Sequence, residues 1–397
     1  MRVIFYRLDS GLRRNDEAFE MSMNYSDLAP PYIRAIAPYQ PGKPISELER
    51  ELGITGIVKL ASNENPLGAS PKAVAAARTA LDEIGLYPDG NGFALKDALA
   101  QRYGVAHDQI VLGNGSNDLL ELAARAFLTV GDKVVYSDHA FAVYALATQA
   151  VGAAGISVAA KDFGHDLETM RTTAVAQGAK MIFIANPNNP TGTFLSGAAL
   201  YDFLHKLPAG ILVVLDEAYN EYLPEECRYN SVAWLEEFPN LIISRTFSKA
   251  YGLASLRVGY ALGDPQVIDM LNRVRQPFNV NSVAQAAAVA ALQDAEFVQQ
   301  TFALNRRGMA QITGELSKLQ LEYIPSFGNF VSFKIATPAL SEVERAMGVY
   351  RRLLELGVIV RPIANYNMPG WLRVSIGLEE ENDKFLSALK RILGEKQ

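Results

Sequence analysis

Seven short apolar runs punctuate the middle of the chain: Gln109–Leu112, Lys133–Tyr136, Ile156–Ala159, Lys180–Ala185, Ile211–Leu215, Leu241–Ile243 and Arg257–Leu262. They are too short for helices and too apolar for loops, so they read as buried strands. Stretches of helical spacing separate several of them, at Asp118–Leu128, Ala140–Ala150 and Ser196–Lys206. Strands that alternate with helices pair in parallel, because the crossover carries the chain back to the start of the next strand. The pattern predicts an α/β fold, a mostly parallel seven-stranded-type sheet sandwiched by helices. Ligands of such sheets sit beyond the carboxyl ends of the strands. The loops there are where chemistry is expected.

The flanks read differently. Residues 1–27 form an N-terminal extension, expected to be disordered. Its apolar patch Val3–Tyr6 lacks a signal-peptide core and cleavage site, and Met21 or Met23 are alternative starts to Met1. Residues 28–62 are a proline- and tyrosine-rich arm with part of a smaller domain. Within it, Ser46 with Glu49 three residues on reads as a capping box that opens a helix to Leu52. Residues 63–293 are read as a large ligand-binding domain and 294–397 as a smaller α+β domain, which begins with the long helix Glu296–Leu319.

Composition excludes several classes. A formal net charge of −6 gives no overall basic surface for nucleic acid. No apolar run is long enough to span a bilayer. Cys227 is the single cysteine, which rules out an intramolecular disulfide, and His107, His139, His165 and His205 are scattered. No metal site is expected, and a cytoplasmic protein is.

Five strand ends carry unusual polar groups. Gly113-Asn-Gly-Ser-Asn117 is a glycine loop opening a helix, able to bind phosphate or merely to turn the chain. Phe141 could stack on a flat ring or fill the core. Asn186-Pro-Asn-Asn189-Pro-Thr-Gly192 is a rigid loop with more amides than a plain turn needs. Asp216, in Asp216-Glu-Ala-Tyr219, would be costly at a buried strand end unless paired. A protonated pyridine nitrogen is one such partner. Mg²⁺ is another, but the glycine-lysine loop that accompanies such a site is missing. Ser244-Arg-Thr-Phe-Ser-Lys249, followed by Arg257, is either a charged turn or a lysine that can bond to a carbonyl beside groups that hold a phosphate.

With these motifs in this order, the chain resembles the fold-type I pyridoxal-phosphate aminotransferases of the aspartate aminotransferase superfamily. The resemblance runs from about Leu28 to Leu393. The arm Ala37-Pro-Tyr-Gln-Pro-Gly-Lys-Pro44 and Asn63-Glu-Asn-Pro66 are similar to the histidinol-phosphate aminotransferase branch. The resemblance implies pyridoxal 5'-phosphate, bonded covalently to Lys249. Asp216 would pair with the ring nitrogen, and Tyr219 and Asn189 would reach the ring's phenolic oxygen. Phe141 would occupy the ring-stacking place. Ser116, Asn117, Thr246, Ser248 and Arg257 would surround the phosphate. Tyr87 resembles a tyrosine that reaches the phosphate from a neighbouring subunit, which implies a homodimer with shared active sites. A cis bond at Asn189–Pro190 is implied too.

On the substrate side, Arg373 resembles the arginine that grips the α-carboxylate. Arg361 and Tyr39 resemble groups near the substrate phosphate. A surface salt bridge is the bland alternative for either arginine. The implied reaction is a two-stage amino transfer between histidinol phosphate and 2-oxoglutarate, in histidine biosynthesis, with Lys249 as a base kept neutral by burial and the cationic cofactor. An aromatic amino-acid aminotransferase and a threonine-phosphate decarboxylase share these cofactor residues. A regulator on the same fold would need an N-terminal helix-turn-helix domain, which the short extension cannot supply.

Overall fold

The computed structural model describes residues 24–39, 42–335 and 341–394. The alternative starts, the extension up to residue 23 and two residues of the arm motif, Gln40 and Pro41, lie outside the described residues. The end of the segment expected to be disordered is a 3-10 turn, Tyr25–Leu28, capped by the Asn24 side chain and tied to the next helix by an Asp27–Arg34 ion pair of 2.7 Å.

The strands, in chain order, are β1 (Val58–Lys59), β2 (Ile110–Gly113), β3 (Lys133–Ser137), β4 (Ala154–Val158), β5 (Met181–Ala185), β6 (Leu212–Asp216), β7 (Leu241–Thr246), β8 (Gly259–Gly263), β9 (Tyr323–Ile324), β10 (Phe330–Lys334), β11 (Val358–Ile359), β12 (Arg361–Pro362) and β13 (Trp371–Ser375). Seven form the large sheet, in the order β2-β8-β7-β6-β5-β3-β4. Pairing is parallel from β7 through to β4, and β8 is antiparallel to both its neighbours. The reason is local. A parallel return needs a crossover, usually a helix, and the β7–β8 connection holds only the 3-10 turn Ala254–Leu256. That connection carries Lys249.

Successive residues of the central strands face opposite sides, so the sheet is buried on both. Val213, Leu215, Ile182 and Ile184 enter one core, and Val214, Phe183 and Ile242 the other. A third core belongs to the smaller unit. There β12-β13-β10-β9 form an antiparallel sheet, and β1 pairs with β11. Leu60 from the arm, Ile312 and Leu316 from the helix Ala295–Lys318, and Phe333, Leu372 and Phe385 pack together. No helix among the described residues is long and apolar enough to cross a membrane.

Two local readings differ. The helix Ile45–Leu52 starts one residue early, after Pro44, and no side chain caps it. Ser46 is thus inside the first turn, where its hydroxyl cannot cap, and Lys43 anchors the helix through Glu47 and Glu51 at 3.0 and 2.7 Å. A capping box forms instead between Ser341 and Glu344. The helix Leu167–Gln177 is not evident in the sequence pattern, because only Met170 and Ala174 of it are buried. Its ends are marked all the same: Asp166 accepts from the Thr169 amide, and Gly178 closes it at φ 63.

Beside Asp216, Glu217 is fully buried and pairs with Arg245 of β7. Arg245 Nε and Nη2 both donate to Glu217 Oε2, at 2.9 and 2.8 Å, and Ser231 adds a third bond at 3.0 Å. The guanidinium lies 5.0 Å from the Tyr103 ring centroid. Removing one partner of such a pair strands a buried charge, at about 3–5 kcal/mol. Arg245→Met should therefore lower urea stability by about that amount, and Glu217→Met with Arg245→Met should lose clearly less. Equal losses would mean the pair is not what holds these strand ends.

Candidate active site

At the carboxyl ends of β5, β6 and β7 the two sheets enclose a cavity of ≈ 220 Å³. Asp216 ends β6 and is 4% exposed. Tyr144 donates to its Oδ2 at 3.0 Å, while Oδ1 has no partner among the described residues. Burial pushes its carboxyl up to about 6, against the opposing Tyr144 bond. A buried carboxylate oxygen left unmet at a cavity wall suits a cationic N–H donor.

Lys249 stands across from it on the β7–β8 turn. Gly252 makes that turn possible: its φ is +70, and a Cβ there would run into the Gly68 carbonyl. Lys249 Nζ donates to Ser62 O at 3.2 Å. Burial, with the Arg373 charge second, lowers its pKa to about 8. The direction is the expected one, and in the chain alone it stops above neutrality.

One end of the cavity is built for an anion. The helix Ser116–Phe127 begins there and presents Ser116 and Asn117, with Thr246 and Ser248 opposite. Arg257, held in the left-handed region at φ 53, donates to Ser248 Oγ at 3.1 Å and to Asn114 O at 3.3 Å. Its guanidinium occupies the space a Cβ on Gly115 would need. Backbone amides at a helix start, two hydroxyls and an arginine make a phosphate cradle. Phe141 lines the wall between this cradle and Asp216, edge-on to Tyr144.

The other end is anionic-ligand territory too. Arg361 and Arg373 are direct partners across β12 and β13. Both are buried, and both line the cavity. Arg373 Nη1 donates to Asn189 Oδ1 at 2.5 Å and Nη2 to Ala61 O at 2.7 Å, and its guanidinium lies 5.2 Å from the Phe330 ring centroid. Burial lowers its pKa, and nearby Arg361 acts in the same direction. Arg361 lies 5.6 Å from the Tyr39 ring centroid.

Of the three asparagines in the asparagine-proline loop, only Asn189 lines the cavity, beside Pro187. Asn186 is used up by Leu195 and Tyr229, and the Asn188 Nδ2 by His139 O and Thr191. Both X-Pro bonds of the loop, Asn186–Pro187 and Asn189–Pro190, are cis. Tyr219, 3% exposed, accepts from Asn63 Nδ2 at 2.9 Å, and burial pushes its phenol up to about 12.

The fold thus brings Tyr39, Ser116, Asn117, Phe141, Asn189, Asp216, Tyr219, Thr246, Ser248, Lys249, Arg257, Arg361 and Arg373 to one cavity. It leaves out Tyr87, which is 82% exposed and stacks on Phe278 at 4.9 Å. Sequence reasoning missed Asn63, Tyr144 and Tyr366, which also line the cavity. Tyr144 had a signal, three residues beyond Phe141 on one helical face. Asn63 sits in a turn that stood out only as a motif, and Tyr366 had none. Taken together, the cavity can hold a flat ring with its N–H on Asp216, its phosphate in the cradle and a carbonyl at Lys249, leaving the two arginines for a second ligand.

The chain matches known proteins over most of its length. The family model described as aminotransferase class I and II matches residues 55–389. A histidinol-phosphate aminotransferase of Methylobacillus flagellatus is 62% identical over 369 residues, covering 92% of this chain and 98% of that protein. One from Nitrosospira multiformis is 60% identical, covering 92% of each. Among solved structures, histidinol-phosphate aminotransferase from Sinorhizobium meliloti, in complex with pyridoxal-5'-phosphate, superposes with a TM-score of 0.84 at 28% identity, over 92% of this chain and 97% of that one. The chain belongs to the class I and II aminotransferase family.

Proposed function

We propose that this aminotransferase moves an amino group between histidinol phosphate and 2-oxoglutarate, using pyridoxal 5'-phosphate, in histidine biosynthesis. What carries the substrate choice is kinship: relatives at 55–62% identity carry the histidinol-phosphate aminotransferase name. The pair Arg361 and Arg373, buried side by side at one end of the cavity, is compatible with it. Two arginines suit a pair of substrates of which one brings a phosphate and the other two carboxylates.

The residues present fit the cofactor. The unmet Asp216 Oδ1 would take the ring N–H, the Ser116–Asn117 helix start with Thr246, Ser248 and Arg257 the phosphate, Phe141 the ring face, and Asn189 and Tyr219 the phenolic oxygen. When bound, pyridoxal phosphate supplies the electron sink that lets a proton leave the substrate α-carbon. Lys249 is the covalent tether, and its freed amine takes that proton and returns it. Such general-base help is worth about 10²–10⁴-fold. Arg373 orients the substrate from the small sheet, and its bond to Asn189 ties that grip to the cofactor side. Arg361 and Tyr39 take the outer anion.

The working form is a homodimer. Ile84, Leu86, Tyr87 and Phe93 form an exposed apolar stretch, and Tyr87 would cross to the partner's phosphate cradle. The cytoplasm is the setting that goes with a biosynthetic enzyme of this kind.

Four outcomes follow. Apo-protein should capture pyridoxal phosphate at a rate that rises with pH through a midpoint of about 8 and levels off above it, because only neutral Lys249 reacts. A lysine at the ordinary 10.5 would still gain about tenfold per pH unit from 8 to 10. Borohydride should trap the cofactor on Lys249, and Lys249→Ala should abolish trapping and turnover. Mixing holoenzyme with histidinol phosphate should convert it to the pyridoxamine form. Conversion by phenylalanine or threonine phosphate instead sinks the substrate assignment. Light scattering should give twice the chain mass, and Tyr87→Phe should weaken cofactor retention; a monomer retaining full activity rules the dimer out.

A further inference from the structure

Asn63 sits where the two units meet, and every one of its polar groups is engaged. It is 1% exposed and has a left-handed backbone, φ 55. Its carbonyl accepts from Asn329 Nδ2 at 3.0 Å. Its backbone N–H donates to Ser375 Oγ at 2.8 Å, and Ser375 Oγ donates to Asn63 Oδ1 at 2.9 Å. Its Nδ2 then donates to the Tyr219 oxygen at 2.9 Å.

The directions in this chain are not free. The Ser375 hydroxyl has one proton. Its oxygen already accepts the Asn63 backbone N–H, and at 3% exposure the proton must find an acceptor inside the protein. The acceptor it meets is the Asn63 side-chain oxygen. That fixes which end of the amide faces Tyr219: the NH₂ end, a donor only. A phenol that accepts from an amide cannot send its own proton back along the same line. It must point it elsewhere, and Tyr219 lines the cavity.

We propose that Asn63 is a positioning residue: held by Ser375, its amide aims the Tyr219 proton into the cavity, toward the group that Lys249 holds. The inference rests on the functional reading above and adds to it the device that orients one of its donors. Ser375 is two residues beyond Arg373 on β13, so both project from the same face of the small sheet. One strand therefore carries the substrate arginine and the hydroxyl that orients Tyr219 through Asn63. Around Tyr219 the charged and titratable groups include Arg373 of β13, Asp216 of β6, Tyr144, Tyr222, Tyr366 and Lys249, whose Nζ is 5.9 Å from the ring centroid. The Phe330 ring of β10 meets it edge-on at 5.3 Å.

The test reads the resting holoenzyme without substrate, by the pH midpoint of the bound cofactor's visible absorbance. A hydrogen bond donated to the phenolic oxygen favours its charged form and lowers that midpoint. Asn63→Ala should raise it by about half to one pH unit, in the same direction as Tyr219→Phe. In the Tyr219→Phe background the Asn63→Ala step should vanish. An unmoved midpoint in Asn63→Ala, or a step of equal size in the Tyr219→Phe background, overturns the proposal. Where Asn63→Ala does not fold, Ser375→Ala, which frees the amide to turn over, decides by the same two criteria. A wild-type protein that shows no cofactor absorbance at all would instead sink the functional reading, a distinguishable result.

Discussion

A buried carboxylate with one oxygen unmet is the constraint around which this molecule is arranged. Asp216 ends the central strand of the large sheet, so its position is fixed by pairing on both sides, with β5 and β7. Burial raises its pKa toward 6, and Tyr144, Lys249 and the Ala218 amide pull the other way. The charged form is thus held in readiness, but not fully satisfied. Against this single acid the cavity sets Lys249, Arg257, Arg361 and Arg373. A chain of net charge −6 has gathered an excess of cations in one place. That local field favours small anionic ligands.

The groups come from both units, and the connections between them are short and polar. Arg373 reaches Asn189, Asn329 reaches Asn63 and Glu64, and Ser332 donates to Pro190 O. None of these side chains could keep its geometry if the small sheet moved by much. The site is therefore a seam, and its precision depends on strand ends and on the loops pinned to them.

Much of this was legible in the sequence because it obeys short-range rules. Apolar runs bounded by turn residues gave the large sheet, its largely parallel sense and the loops that matter. Those loops come together in the structure, with Asp216, Asn189 and Lys249 facing one cavity. What stayed hidden depends on distant partners. Asn63 gains its place from Ser375, Asn329 and Tyr219, 312, 266 and 156 residues away. The Glu217–Arg245 pair looks like two surface charges until β6 and β7 are laid side by side. The helix Leu167–Gln177 buries too little to show a period, and the Ser46 cap failed because Pro44 starts its helix sooner.

The cross-strand placement of Arg361 and Arg373 has a mechanical consequence. Like charges opposite one another on adjacent strands push the strands apart, and here they do so inside a buried site. Under the proposed function, an anionic substrate seated between them would offset that repulsion, so part of its binding free energy would go into holding β12 against β13.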